Sequence, residues 1–302
     1  MGGVVVLGVF VADTAYRAVR MPRMGETILG NTFSLGPGGK GSNQAVAAAR
    51  MGADVTMITK LGRDDFADMA LKTWAEAGVK PHVEQLADNY TGAAYIFIEE
   101  ATGDNAIIIA PGAAATISAA DMDKASDVIR SASVFVTQLE QPMDAAFRAL
   151  EIARAAGITT ILNPAPAAEL PSGMLTLCDY VTPNETETEE LTGIAVNSEQ
   201  DGARASAALR NMGVGTPIIT LGERGVYLDG HGLVPAVNAG PVVETTGAGD
   251  AFNGGFAAAL ANGSGPLEAV KIGCATAGIS VTRAGTAPSM PSRAEVEALM
   301  SG

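Results

Sequence analysis

Short runs rich in valine and isoleucine alternate along this chain with longer alanine-rich stretches. Val4–Val9, Val55–Thr59, Val134–Thr137, Thr159–Leu162, Tyr180–Thr182 and Ile218–Leu221 have the length and β-branched content of buried strands. Between them, Gln44–Met51, Phe66–Ala77, Ala145–Ala156, Ala203–Met212, Ala251–Ala261 and Leu267–Thr276 have helical composition, and several end at a glycine such as Gly52, Gly78, Gly157 or Gly213. The pattern predicts an α/β fold with a mostly parallel central sheet and helices on both faces, a Rossmann-like arrangement. No repeat, low-complexity tract or long linker interrupts it, so residues 1–302 are expected to form a single domain. Two stretches break the rhythm. Glu26–Leu35 and Gly92–Glu99, the latter continued by Asn105–Ala110 across the turn Ala101-Thr102-Gly103-Asp104, read as strands without intervening helices. They predict a small extra sheet from about 14–36 and 91–110, either an edge extension or a lid over a pocket or a dimer interface.

Composition narrows the function. With 19 Lys plus Arg against 33 Asp plus Glu the net charge is −14, which argues against a broad nucleic-acid or anionic-membrane surface, so an anionic ligand must be held by local geometry. The two cysteines, Cys178 and Cys274, are too few for a disulfide framework or a thiolate metal site, and a reducing cytoplasm is the expected home. The apolar run Val4–Ala12 lacks a preceding basic residue and reads as a first buried strand, not a secretory signal. No apolar run is long enough to span a membrane. Two histidines, His82 and His231, leave little room for multi-histidine metal hydrolysis or a Ser-His-Asp triad.

Chemistry concentrates in two glycine-rich loops. The first, Gly36-Pro37-Gly38-Gly39-Lys40-Gly41-Ser42-Asn43, leads straight into the helix that begins at Gln44. Glycines ahead of a helix let backbone N–H groups approach a ligand, and Lys40 and Asn43 would add polar groups there; a plain strand-to-helix turn is the other reading. Lys40 is followed by Gly41, so this is no Walker A loop. The second, Glu244-Thr245-Thr246-Gly247-Ala248-Gly249-Asp250-Ala251-Phe252-Asn253-Gly254-Gly255, can turn the amides of Gly247, Ala248, Gly249 and Asp250 toward one point at a helix start. That is an anion hole for a transferring phosphoryl group, with Asp250 placed to accept a proton from a substrate hydroxyl; helix capping is the bland alternative. Phe252 stands where a dinucleotide fingerprint needs its third glycine.

Other clusters stay open when read singly. Asn184-Glu185-Thr186-Glu187-Thr188-Glu189-Glu190 is either a solvated first helical turn or the carrier of a carboxylate that holds Mg2+ through water. Thr220-Leu221-Gly222-Glu223-Arg224-Gly225 is a hairpin loop whose glycines could admit a flat base. Asp13 follows the first strand, at the end of a sheet where α/β proteins bind ligands.

Taken together, Gly38-Gly39-Lys40-Gly41-Ser42-Asn43-Gln44-Ala45, the Asn-x-x-Glu segment Asn184–Glu187, and Thr246-Gly247-Ala248-Gly249-Asp250 with Phe252-Asn253-Gly254 resemble the phosphofructokinase B, or ribokinase, family of sugar kinases. The resemblance runs from about Val4 to Pro291 and takes in Pro22–Gly30, Asn163–Ala167 and Ser280–Gly285. It implies ATP-dependent phosphorylation of a sugar's terminal hydroxymethyl, with D-ribose to ribose 5-phosphate as the leading expectation. Asp250 would be the base and Gly247, Ala248 and Gly249 the anion hole. Asp13, Gly39, Lys40, Gly41, Asn43 and Glu140, with Asp250, would bind the sugar. Asn184, Thr220, Gly222, Gly225, Gly249 and Cys274 would meet the nucleotide, and Glu187 the Mg2+ shell. A potassium ion would be held by Glu244, Thr246, Ser280, Arg283, Gly285 and Ser289, mainly through carbonyls. The resemblance also implies a homodimer joined through the lid. Val11 stands where the family usually has Asn, which brings 2-deoxyribose or another modified sugar into contention. Glu244 stands in place of the usual Asp, one methylene longer, and Cys274 in place of a polar residue. A nucleoside kinase and a non-catalytic sugar- or nucleotide-binding regulator are the further alternatives.

Overall fold

The computed structural model describes residues 2–301. Its main sheet has nine strands in the order β13 (Gly232–Val234), β12 (Val226–Leu228), β11 (Thr216–Thr220), β10 (Tyr180–Val181), β9 (Thr159–Leu162), β8 (Val134–Thr137), β1 (Gly3–Leu7), β4 (Asp54–Leu61) and β5 (Lys80–Gln85). All neighbours are parallel from β11 to β5, and β12 and β13 add an antiparallel edge. Because both faces are covered, β1 is buried throughout its apolar run: Val4 and Val6 enter one core and Val5 and Leu7 the other. The first core lies under α1 (Lys40–Arg50), α2 (Asp65–Ala77), α8 (Ala248–Ala261), α9 (Pro266–Ser280) and α10 (Arg293–Ser301). The second lies under α3 (Ala119–Lys124), α4 (Ser126–Arg130), α5 (Met143–Ala155), α6 (Glu185–Thr192) and α7 (Glu199–Asn211). The predicted α/β architecture is therefore present, and a single main sheet runs through the described chain.

The chain runs outward from β1 to β4 and β5, then starts again at β8 on the other side of β1 and proceeds to β11. The order thus reverses between β1 and β8, where open α/β sheets leave a crevice beyond the strand C-termini. Gly8, Gln138, Asn163 and Thr182, just past those ends, share one rim of the sheet with Thr220, the last residue of β11.

A second sheet, in the order β3 (Thr32–Gly38), β2 (Val11–Ala18), β6 (Thr91–Glu99) and β7 (Asn105–Gly112), stands apart as the expected small lid. Two boundaries differ from the sequence reading. The strand expected from Glu26 starts at Thr32: Gly25 has a φ of 81°, and the Glu26 carboxylate is occupied by Arg20 and the Arg23 amide, so Glu26 closes a turn. Asp13, expected just after the first strand at its carboxyl end, lies inside β2, because the run Val4–Ala12 is broken at Gly8 and resumes in the other sheet.

Candidate active site

The first glycine loop resolves into a pivot. β3 stays extended through Gly38, Gly39 turns at a φ of 89°, and α1 starts at Lys40. A Cβ at Gly39 would sit 2.6 Å from the Val9 carbonyl oxygen, so close backbone approach as well as the positive φ demands glycine. The turn aims the first residues of α1 at the sheet rim. Lys40 N–H donates to the Glu140 carboxylate at 2.8 Å, and Asn43 Nδ2 donates to Asp250 Oδ2 at 3.0 Å. Asp13 reaches in from the lid, its carboxylate lying over Gly38, where a Cβ would come within 2.1 Å of an Asp13 oxygen.

The second loop also turns on one glycine. Gly247, at a φ of 82°, precedes α8, whose first turn carries Asp250 into a buried position at the edge of a cleft. The N–H groups of Gly247, Gly249 and Asp250 have no acceptor among the described residues, so they are free for an anion at a positive helix end. Ala248 departs from the expectation. Its N–H donates to the Thr245 carbonyl at 3.1 Å, which closes the turn and leaves three open amides in the hole.

Beside this hole runs a cleft of about 670 Å³. Lys40, Asn184, Glu187, Thr220, Gly222, Gly225, Gly249, Asp250 and Cys274 all line it, so the predicted nucleotide residues converge. Val226, Ala236, Val237, Val242 and Val281 give it an apolar wall fitting a flat base, with Thr220–Gly225 as the expected hairpin loop between β11 and β12. Asn184 caps α6 by accepting from Glu187 N–H at 2.8 Å, and the Glu187 carboxylate accepts from Asn184 N–H at 2.9 Å. This segment is thus a capping box, but Glu187 is buried and lines the cleft instead of facing solvent. Cys274 is buried on α9, and desolvation pushes its thiol up to about 12, so it serves as an apolar wall.

The residues expected around a potassium ion gather next to the hole. A Glu244 oxygen accepts from Gly285 N–H at 2.8 Å, and Thr286, whose hydroxyl donates to Pro37 O at 2.8 Å, packs against Gly247. The carbonyls of Thr246, Arg283 and Gly285 receive no hydrogen bond from the described residues. Ser280 O already accepts from Arg283 N–H, the Ser289 hydroxyl is turned onto Thr286 O, and the Arg283 side chain leaves to pair with Glu295.

Electrostatics bind these parts into one unit. Asp13, Glu140 and Asp250 are carboxylates sharing a water-poor space. Burial, then the charges of Asp250 and Glu244, raise Asp13 to about 6; burial, less the pull of Lys40 and its N–H and augmented by Asp250 and Asp13, raises Glu140 to about 7. Burial also raises Asp250 against the opposing effects of Lys40, Asn43 and Gln44. Lys40 is held above its ordinary value, because Asp250, Glu140 and Glu187 outweigh its own desolvation. Asn43 Oδ1 is buried with no hydrogen-bond partner among the described residues, an acceptor suited to a hydroxyl donor.

A model of the pfkB family of carbohydrate kinases matches residues 1–293. The chain belongs to this family. Ribokinase of Haemophilus influenzae is 37% identical to the kinase over 293 residues, covering 96% of this chain and 95% of that protein. Deoxyribokinase of Salmonella typhi is 38% identical over 296 residues, with 96% and 95% covered. The structure of Arabidopsis thaliana ribokinase complexed with ribose and ATP superposes with a TM-score of 0.92 at 29% identity, covering 100% of the kinase and 99% of that chain. The kinase is therefore an ATP-dependent sugar kinase. No helix of its described residues is long and apolar enough to cross a membrane.

Gln44, Gln138 and Asn163 also belong to the site. Gln44 Nε2 donates to Asp250 Oδ1 and to Asn163 Oδ1, and Gln138 Nε2 donates to Gln44 Oε1. Gln44 and Asn163 lie within stretches that carry the family resemblance, yet a single amide has no spacing that reveals its partner. Only the strand order that places β8 and β9 beside β1 does so.

Proposed function

We propose that the kinase transfers the γ-phosphoryl group of ATP to the terminal hydroxymethyl oxygen of D-ribose, giving ribose 5-phosphate and ADP. The observation that carries this is Asp250, buried in the first turn of α8, where its own N–H and those of Gly247 and Gly249 are unengaged. The hydroxymethyl O–H gives its proton to Asp250 as its oxygen bonds to the γ-phosphorus, and the bond to the β,γ-bridging oxygen breaks to release ADP. The open amides of Gly247, Gly249 and Asp250 meet the charge on the phosphoryl oxygens, and Lys40 supplies the positive charge on the far side. Asp13, Glu140 and Asn43 accept from sugar hydroxyls; an ionised carboxylate accepts only, which suits a ligand rich in O–H donors.

Glu187, Glu223 and Asp250 line the cleft with Lys40 as its one lysine, while Glu185 pairs with Arg224, an acidic balance that suits a nucleotide carrying Mg2+. Among the described residues no cluster of three metal-ligating side chains exists, so Glu187 would hold the ion through water and the phosphates would complete its shell, where it supplies charge neutralisation. The unpaired carbonyls of Thr246, Arg283 and Gly285, with Glu244 tied to the same loop, suit a potassium ion that steadies the anion-hole turn.

The lid supports a homodimer. Tyr16, Phe33, Leu35 and Ile108 are exposed on the face of the small sheet opposite Asp13, and Tyr16 is 5.0 Å from Phe33 and 5.5 Å from Tyr95 between ring centres. A contiguous aromatic and aliphatic face of this kind fits a second copy of itself. A cytoplasmic location agrees with two buried, unpaired cysteines.

A second sugar deserves naming because of Val11. It lies on β2 two residues before Asp13, on the same face of the strand, and is 5% exposed, so it offers the sugar cleft an apolar wall that favours 2-deoxyribose over ribose.

The test is ADP release from Mg-ATP with ribose, 2-deoxyribose, fructose and a nucleoside, with and without potassium. Asp250→Asn is expected to lower turnover by about 10²–10⁴-fold with nucleotide binding retained. Turnover that survives this change removes Asp250 as the base.

A further inference from the structure

Asp250 receives two hydrogen bonds of different kinds. Its Oδ2 is met by Asn43, whose own Oδ1 is unpaired and whose amide belongs to the sugar-facing turn of α1. Its Oδ1 is met at 3.0 Å by Gln44, and this amide has no freedom left. The second Gln44 N–H goes to Asn163 Oδ1 at 3.1 Å, and Gln44 Oε1 accepts from Gln138 Nε2 at 2.6 Å.

Asn163 orients Gln44, and Gln44 in turn orients Gln138, whose Oε1 has no hydrogen-bond partner among the described residues. Asn163 Nδ2 donates to the Thr182 carbonyl at 3.0 Å, so its oxygen must face Gln44. A rotation of Gln44 by 180° would set its oxygen against both Asn163 Oδ1 and the Asp250 carboxylate, and its NH2 against that of Gln138. Gln138 is wedged where β1 meets α1: a Cβ on Gly8 would come within 2.5 Å of its Oε1, and one on Gly41 within 2.9 Å. Gln44 is 1% exposed and Gln138 is fully buried, so no water can replace a lost donor.

We infer that Gln138 and Gln44 are positioning residues, a buried amide string that dedicates a permanent donor to Asp250 Oδ1 and leaves Oδ2, on the Asn43 side, to take the proton of the sugar hydroxyl. Gln138 acts without touching substrate or Asp250, by satisfying Gln44 Oε1 and so reinforcing the orientation that Asn163 imposes on the Gln44 amide. A carboxylate with every oxygen free to rotate would present the wrong lone pair for part of the time, and without a fixed donor, burial would favour its protonated, non-basic form.

This inference rests on the reading of Asp250 as base, and the experiment separates the two. Steady-state kinetics with saturating and varied sugar and ATP, from pH 5 to 9, are compared for wild type, Asp250→Asn, Gln138→Met and Gln141→Met. Gln141 is an equally buried amide that bonds Thr137 Oγ1 and the Gln138 carbonyl but lies outside the string, which makes it the matched control. Gln138→Met is expected to lower kcat by about 10–100-fold with both KM values within about threefold, and to move the acidic limb of kcat upward by about one pH unit, whereas Gln141→Met leaves kcat and the limb in place. Wild-type kcat and an unmoved limb in Gln138→Met overturn the string while a collapsed Asp250→Asn upholds the base. Equal losses in Gln138→Met and Gln141→Met reduce Gln138 to packing and also overturn it. Turnover retained by Asp250→Asn overturns both readings. Should Gln138→Met not fold, Gln138→Leu, which is shorter and likewise has no N–H to offer Gln44, takes its place. At pH 8 its kcat is expected to fall at least tenfold, and a wild-type value overturns the proposal.

Discussion

On the proposed reading of Asp13 as a sugar ligand, this residue would serve the ligand at the expense of the free protein. Its folded value of about 6 lies above the ordinary 3.8, so between those pH values the folded state holds a proton that the unfolded chain has released. By linkage, stability then falls as pH rises through this window, and Glu140, at about 7 against 4.5, extends the loss toward neutrality. Asp13→Asn is therefore expected to raise the melting temperature of the ligand-free enzyme at pH 8 and leave it nearly unchanged at pH 4, while weakening sugar binding. A calorimetric scan at both pH values checks this, and an unchanged or lower melting temperature at pH 8 counts against it. Val11 makes the complementary case. Val11→Asn is expected to raise kcat/KM for ribose relative to 2-deoxyribose by about tenfold, since a buried hydrogen-bonding site rejects a ligand that lacks its partner. A ratio that stays put removes Val11 from the recognition of the sugar.

The elements meet through glycines that have nothing to do with turns. Gly254, in the middle of α8, faces α1 so closely that a Cβ there would lie 2.4 Å from the Ala47 Cβ and 2.7 Å from the Gln44 carbonyl oxygen. The crossing holds Asp250 and Gln44 at bonding distance. Gly254→Ala is expected to cost about 1–3 kcal/mol by forcing the two helices apart, and to lower kcat more than it raises KM. Denaturant unfolding together with sugar kinetics checks both, and an unchanged kcat in a destabilised variant separates packing from catalysis. Elements such as β1, β8 and β9 were legible in the sequence because strands buried on both faces are continuous apolar runs, and α2 and α5 because their lengths and ends are well marked. β5, with the polar sequence Lys80–Gln85, was not, since an edge strand is defined by its neighbour's backbone. The start of β2 at Val11 was hidden for the opposite reason, because one apolar run is shared between two sheets. Of the site, the glycine pivots and Asp250 announced themselves through composition. The amide string did not, because its members come together only after β8 and β9 dock beside β1.

For the whole molecule, the exposed lid face is the feature that a lone chain leaves unsatisfied. Tyr16→Asp is expected to leave the main sheet folded and turn a dimer into a monomer, read by sedimentation at micromolar concentration with circular dichroism as the control for folding. A wild-type chain that already sediments as a monomer refutes this use of the face. The lid is also joined to the body in an uneven way. Three residues, Gly8, Val9 and Phe10, separate β1 from β2, and Gly39 alone separates β3 from α1. Asp13 rides on the lid, whereas Asp250 is built into the body at the start of α8. On the proposed function, the carboxylate that reads the sugar belongs to the small sheet and the one that takes its proton belongs to the body. A sugar bound between them would then bridge two separately built parts of the chain, so that selecting the substrate and holding those parts in register become the same task.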